Sequence, residues 1–302
     1  MNVFLTGASG YIGGSVARAL LKAGHRVTGL VRSEERAAAL VARGVVPVIG
    51  DLDNSALLAA EAHRADAIIN AANVDHRPSV EAMLTAIDWS GKLFIQTSGS
   101  GIVADMAGGH GSDAIYQDDT PVTPVPARAP RVAINDLVRA SADRGVRGVV
   151  IAPPMVYGKG TGLNPDSIQI PKLIAVAREA GVAKYVGPGQ NIWSNVHIDD
   201  LVDLYLVVLN IARPGAFFYA ENGECSMKDI AESISRMLGF HGRTQSVSVD
   251  EAKGIFGELP TLLSFGSNSR VRATRAKREL GWAPVGRSLL DEIENGAYRE
   301  GG

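Results

Sequence analysis

The sequence predicts a doubly wound α/β fold, a parallel sheet wrapped on both faces by helices, followed by a smaller C-terminal α/β portion. Three observations carry this. Short β-rich apolar runs alternate with segments of helical spacing through the first half of the chain, as strand–helix–strand crossovers do. Those runs are nearly continuous in apolar character rather than alternating, as strands buried on both faces require. The first of them leads directly into TGASGYIGGS at residues 6–15, a glycine-rich turn that opens a helix.

Strands are expected at 2–6, 26–31, 45–49, 67–71, 92–97 and 146–152. The stretches between them, 12–23, 33–43, 54–64, 79–88 and 131–143, have helical spacing. After residue 153 the rhythm changes, with Pro153, Pro154, Gly158, Gly160, Gly162 and Pro165 marking a loop. Beyond it the pattern predicts a helix at 167–180, then a segment near 183–198 that leads into a helix at 199–212. A strand at 216–220, a helix at 226–238, a strand near 244–249 and closing helices at 270–280 and 286–298 complete the chain.

Composition sets the outer limits. With 302 residues, 46% hydrophobic and 21% charged, the chain reads as a globular protein with a substantial core. A formal net charge of −2 gives no reason to expect nucleic acid or an acidic membrane as partner. The basic run at 270–278 has helical spacing and reads as a solvated face. A lone cysteine, Cys225, excludes an internal disulfide. The histidines lack metal-ligand spacing, so no metal is expected. The apolar helix at 201–212 is short for a bilayer and carries Asp203. The N-terminus starts as a strand and does not read as a secretory signal, and a cytoplasmic location is expected.

The glycines at 7, 10 and 13 are spaced as a dinucleotide cradle. The first permits the sharp turn out of the strand, and the second lets backbone N–H groups approach a pyrophosphate. The third allows the helix to pack closely on the sheet with its N-terminus facing the phosphates. Such spacing is weak evidence alone, but its place between a strand and a helix is the confirming context. Gly7, Ser9, Gly10, Tyr11, Ile12 and Gly13 are therefore assigned to the cofactor. At the end of the second strand Arg32 and Ser33 stand where an acidic residue would hold a ribose 2′-hydroxyl. A basic residue there suits a 2′-phosphate, so NADP(H) is expected over NAD(H).

Taken together, TGASGYIGG, GDLDN at 50–54, PPMVYGKG at 153–160, NVHIDDLVDLY at 195–205 and AKRELGWAP at 276–284 resemble the extended short-chain dehydrogenase/reductase family. That group holds nucleotide-sugar epimerases, dehydratases and dihydroflavonol-type reductases. The motifs run in family order across essentially the whole chain. The resemblance implies an NADP-binding Rossmann domain at 1–155, completed by part of 183–215, and a substrate-binding portion at 156–302. It also implies that Asp51 and Leu52 flank the adenine, that Ala71 and Ala72 pass near the pyrophosphate and ribose, and that Ser98 and Pro153 reach the nicotinamide end.

Two departures from the family pattern matter. The family pairs a tyrosine with a lysine four residues later, but positions 127 and 131 hold Ala127 and Arg131. A serine at the end of the fifth strand normally meets the reacting oxygen, but Gly99 falls there, between Ser98 and Ser100. The helix at 79–88 is also short, and Pro124, Pro126 and Pro130 interrupt the approach to the next one. The family's usual four-helix dimer seam is therefore not expected, leaving a monomer or a differently paired dimer.

Ser100 and Tyr157 are the catalytic candidates left by the missing pair. Tyr116 is a weaker one, and His197 reads as a structural hydrogen-bonding group at a helix start. Arg131 keeps a positive charge near the missing lysine but cannot shuttle protons. Met155, Tyr157, Ile192 and Trp193 are expected to bring apolar and aromatic surface to the substrate. The expected activity is an NADP(H)-dependent oxidoreductase reducing a small apolar or aromatic carbonyl compound with a non-standard proton donor. A binding or sensing protein with reduced catalysis is the alternative, and a sugar-nucleotide epimerase or dehydratase is a weaker one.

Overall fold

The computed structural model describes residues 1–299; the last three residues of the expected 156–302 portion lie outside them. The first half alternates as predicted: β1 (Asn2–Thr6), α1 (Tyr11–Lys22), β2 (Arg26–Val31), α2 (Glu34–Val41), β3 (Val46–Ile49), α3 (Ser55–Arg64), β4 (Ala67–Asn70), α4 (Arg77–Ala86) and β5 (Leu93–Thr97). A short β6 (Tyr116–Gln117) precedes α5 (Ala129–Ala140) and β7 (Arg147–Ala152). Pro130 sits in the first turn of α5, where its missing N–H costs nothing.

Seven strands form one sheet in the order β11-β7-β5-β4-β1-β2-β3, where β11 is Phe217–Tyr219. Every pairing in it is parallel. The order reverses between β1 and β4, which opens a crevice at the carboxyl ends of these strands. Residue parity explains why the strands read as unbroken apolar runs. Val3 and Leu5 face one core with Ile69, Ile95, Val149 and Ile151. Their neighbours Phe4, Ile68, Phe94 and Val150 face the other. Helices α1, α2 and α7 (Ile198–Ile211) cover the first face, through Val16, Leu20, Leu40, Leu201 and Tyr205. Helices α3, α4 and α5 cover the second through Leu58, Val80, Met83, Ile134 and Val138.

A third core holds the C-terminal lobe together around Tyr157, Leu173, Trp193, Ile230 and Phe265. Its elements are β8 (Met155–Tyr157), α6 (Gln169–Ala180), β9 (Ala183–Val186), β10 (Ile192–His197), β12 (Glu224–Ser226), α8 (Met227–Met237) and β13 (Thr244–Val247). They are followed by α9 (Val249–Phe256), α10 (Glu258–Pro260), β14 (Val271–Arg272), α11 (Thr274–Leu280) and α12 (Leu289–Asn295). Helix α7 crosses back onto α1, and β11 supplies the outer edge of the large sheet.

The structure departs from the sequence expectation in this half. The segment at 183–198, to which the pattern assigns no element, holds two strands: β9 pairs with β13, whereas β10 lies between β8 and β12. The loop expected after residue 153 contains β8, a three-residue strand held by parallel pairing to Asn195–His197. The region before 270 contains α9, with a Ser248–Glu251 capping box at its start, and a turn of π-helix at Thr261–Phe265. Residues 270–272, expected as helix, are extended, and β14 pairs with β6.

Candidate functional site

Two cavities lie over the carboxyl ends of the strands and share the glycine loop. The first, of about 470 Å³, is lined by Gly7, Ser9, Gly10, Arg32, Asp51 and Ala71 among others. The second, of about 450 Å³, begins at Tyr11 and Ile12 and extends past Ser98 and Pro153 to Trp193. The backbone passes from one to the other at the start of α1.

The loop geometry fits a dinucleotide. Gly7 has φ +76°, and a Cβ there would stand 2.4 Å from the Ala71 carbonyl oxygen. A Cβ on Gly13 would stand 2.3 Å from the Gly7 carbonyl oxygen. Both positions must be glycine for α1 to start so close to β4. Gly10 caps α1 without a side-chain bond, so the first-turn N–H groups have no internal acceptor among the described residues, an arrangement suited to an anion. Beneath the loop a buried polar chain crosses the strand ends. Thr6 Oγ1 donates to Asn70 Oδ1, Asn70 Nδ2 to Gln96 Oε1, and Gln96 Nε2 to the Thr97 carbonyl. These bonds stiffen the floor on which the loop rests.

At the adenosine end, Asp51 Oδ1 accepts the backbone N–H groups of Asp53 and Asn54, shaping an Asx turn. Leu52 and Ala72 line the same cavity. Arg32 lines it too, joined by Arg36 from one turn into α2. Ser33 does not line it: its hydroxyl caps α2 by accepting the N–H of Arg36. Asn73 and His76 complete the wall. His76 Nδ1 accepts the N–H of Ser79, and its Nε2 lies 3.1 Å from Asp53 Oδ1.

At the other end, Ser98 and Trp193 line the second cavity. The Ser98 hydroxyl is buried with no hydrogen-bond partner. Trp193 is fixed by its Nε1 donating to the Ser267 carbonyl at 2.8 Å. Tyr11 donates its hydroxyl proton to the Gly158 carbonyl, and burial raises its pKa further. Arg131 is held by Asp75 through two bonds, Nε to Oδ1 at 2.9 Å and Nη2 to Oδ2 at 2.6 Å. That pairing pulls the Asp75 carboxyl below its usual range. The remaining nitrogen, Nη1, lies 3.6 Å from the point a Cβ on Gly99 would occupy.

Three expectations are corrected by this arrangement. Tyr157 does not face the cavity: it is fully buried in the C-terminal core, and its hydroxyl donates to the Arg287 carbonyl at 2.6 Å. Burial also raises its pKa, so it is a poor acid as well as a distant one. Met155 faces the same core, because the alternation of a strand sends Val156 to the cavity and its two neighbours away. Ser100 borders the cavity but is fully buried. Ser269 Oγ donates to the Ser100 carbonyl, so the Ser100 hydroxyl proton goes to Ser269 Oγ at 2.7 Å. Tyr116 lies in β6 against the second core. His197 caps α7 through Nδ1 and packs edge-on against Tyr157.

Sequence reasoning missed several residues. Arg128 lines the second cavity with Arg131, and their spacing of three at a helix start was the available signal. Leu259, Pro260, Leu263 and Phe265 form the far wall, on the α10 and π-helical turn that no periodicity indicated. Asp75 lies in a loop and gave no signal. Among the described residues no group of three or more His, Cys, Asp or Glu is placed to hold a metal. No described helix is long and apolar enough to cross a membrane.

A parallel sheet with a strand-order reversal, a glycine loop and a helix N-terminus at that reversal define a Rossmann-type dinucleotide fold. Comparison with known proteins narrows this. The chain belongs to the NAD dependent epimerase/dehydratase family, whose profile matches residues 3–217. It is 34% identical to an oxidase, UcsJ, of Acremonium sp. over 97% of this chain and 95% of that protein. It is 26% identical to a 4-hydroxy-2-methyl-3-oxo-4-farnesyl-3,4-dihydroquinoline-1-oxide ketoreductase of Stigmatella aurantiaca, over 74% of this chain and 69% of that protein. In fold it is similar to a dTDP-glucose 4,6-dehydratase of Bacillus anthracis solved with NAD, at a TM-score of 0.79 and 18% identity, covering 100% of this chain and 96% of that one.

Proposed function

We propose that this chain is an NADP(H)-dependent reductase of a small carbonyl-type compound with an apolar or aromatic body. The observation that carries this is the pairing of the two cavities on one loop. One is built for a nucleotide, and the other is a largely apolar chamber with the unpartnered Ser98 hydroxyl on its wall. The oxidase and ketoreductase among the relatives support redox chemistry.

Gly7, Gly10, Gly13 and the first turn of α1 would hold the pyrophosphate, Asp51 and Leu52 the adenine, and Arg32 with Arg36 a 2′-phosphate. Such a cofactor, when bound, supplies or withdraws a hydride. The chain's own residues do the rest. Ser98 donates its otherwise unused hydroxyl to a substrate oxygen, and the Arg131 charge, fixed by Asp75, favours negative charge building on that oxygen. Trp193, Leu263 and Phe265 exclude water around it.

Among the described residues the chamber is lined by no Lys, His, Asp or Glu, and the one lining tyrosine, Tyr11, spends its proton on Gly158. The proton completing an alcohol therefore comes from water or from the substrate. This favours activated carbonyl compounds over simple ketones, since a placed acid is worth about a hundred- to ten-thousandfold. The same lack of an acid is what supports the second reading, a protein that binds NADP(H) and turns over little. Oxidation of NADPH over many turnovers, across a panel of ketones, enones and diketones, tests the proposal. Tight NADPH binding without turnover on any of them decides for the second reading.

A further inference from the structure

Arg128 has no role in the account above, yet it faces the same chamber. Its Nε is sealed from solvent and has no hydrogen-bond partner. Arg131, three residues on, has Asp75 as a bidentate partner, whereas Arg128 forms no ion pair among the described residues. Among the described residues the chamber wall holds two guanidinium groups and no carboxylate, and Asp75 hydrogen-bonds only Arg131, supporting the Arg128 charge from a distance. Burial and the neighbouring Arg131 both work against the Arg128 charge. A half-buried charge without a counter-ion is costly unless something supplies one.

The outer side of this group, its two terminal nitrogens, says what that is. A Cβ on Gly101 would lie 3.7 Å from Arg128 Nε, 3.8 Å from Nη2 and 3.8 Å from the Trp193 ring. Nη2 thus stands beside a position that carries no side chain, next to an aromatic wall. Nη1 and Nη2 together present two N–H donors, which match the two oxygens of a carboxylate. One unanswered positive charge in an apolar chamber balances a single negative charge and not the double charge of a phosphate monoester.

We infer that the substrate carries a carboxylate, which Arg128 grips through its terminal nitrogens Nη1 and Nη2 beside Gly101 while the apolar body lies against Trp193 and Phe265. This rests on the reading of the chamber as the substrate site and names the substrate class: aryl- or alkyl-bearing oxo acids. The fixed Arg131–Asp75 pair leaves Arg128 as the residue that distinguishes an acid from its neutral amide or ester.

The test compares cinnamate with cinnamamide by calorimetry, on the full chain saturated with NADP+. Wild-type protein is expected to bind the acid about ten- to a hundredfold more tightly than the amide. Arg128→Gln is expected to abolish that preference, and Arg128→Lys to restore part of it. Gly101→Ala, which leaves the charge but crowds Nη2, is expected to weaken the acid selectively; it serves if the glutamine variant does not fold. Equal affinity for the two probes in the wild type overturns the inference. So does an acid preference that survives Arg128→Gln, or a loss of NADPH affinity in that variant equal to its loss of cinnamate affinity. Turnover of neutral carbonyl compounds by a protein indifferent to cinnamate would sink this inference while leaving the proposed reductase standing. Cinnamate selectivity in a protein with no turnover would do the reverse.

Discussion

The proposed preference for NADP(H) turns on two side chains, and its size follows from their setting. Arg32 and Arg36 line the adenosine cavity from the end of β2 and the first turn of α2. Neither has an ion-pair partner among the described residues, so neither must leave an existing bond to meet a 2′-phosphate. Both are exposed, so each charge-assisted contact belongs at the weak end of its range, about 1.5 kcal/mol, or roughly tenfold in affinity. Arg32→Ala should therefore weaken NADPH about tenfold, and the double variant with Arg36→Ala up to about a hundredfold. NADH, which lacks the phosphate, should change little in either. Calorimetry with both cofactors reads this directly, and the NADPH preference should shrink as salt is raised to 1 M, where screening length falls to about 3 Å. Wild-type protein that binds the two cofactors equally, or a double variant with an unchanged ratio, would refute the reasoning.

Four further outcomes follow from the geometry. Ser98→Ala removes a buried hydroxyl that has no partner, so thermal stability should hold or rise slightly while reductase turnover falls about a hundredfold; a melting curve and a rate together check it. Tyr157→Phe breaks the bond to the Arg287 carbonyl, so about 1 kcal/mol of stability should be lost in urea unfolding with turnover kept, and a large loss of turnover at unchanged stability would return Tyr157 to the chemistry. Glu224 is gripped by Arg270 and Arg272, which lower its pKa from 4.5 to about 2; its folded-state pKa is depressed, so its stabilisation is complete above about pH 4.5 and lost as pH falls towards 2. Glu224→Gln should thus cost stability at pH 7, at most about 3 kcal/mol, and much less at pH 2.5, as chemical denaturation at the two values would show. Finally, light scattering should find a monomer, or a dimer not built on α4 and α5; a crystal structure with those helices paired between copies would contradict this.

The sequence determined the half of the molecule in which each strand is buried on both faces and each helix on one. There, period and composition follow from local burial: Val3–Phe4–Leu5 is apolar throughout because its neighbours alternate between two cores. The cradle was equally legible, since Gly7 and Gly13 answer to contacts within one strand–turn–helix unit and its neighbouring strand. The chamber was not. Whether Tyr157 or Val156 faces it depends on the parity of a three-residue strand whose pairing partner lies 40 residues further on. The Ser100 hydroxyl was lost to Ser269, 169 residues away, and Arg131 was tied down by an aspartate in a loop 56 residues before it. A side chain's free donors are those its distant neighbours leave unused, so only the tertiary structure could show that Ser98 and Arg128 keep theirs.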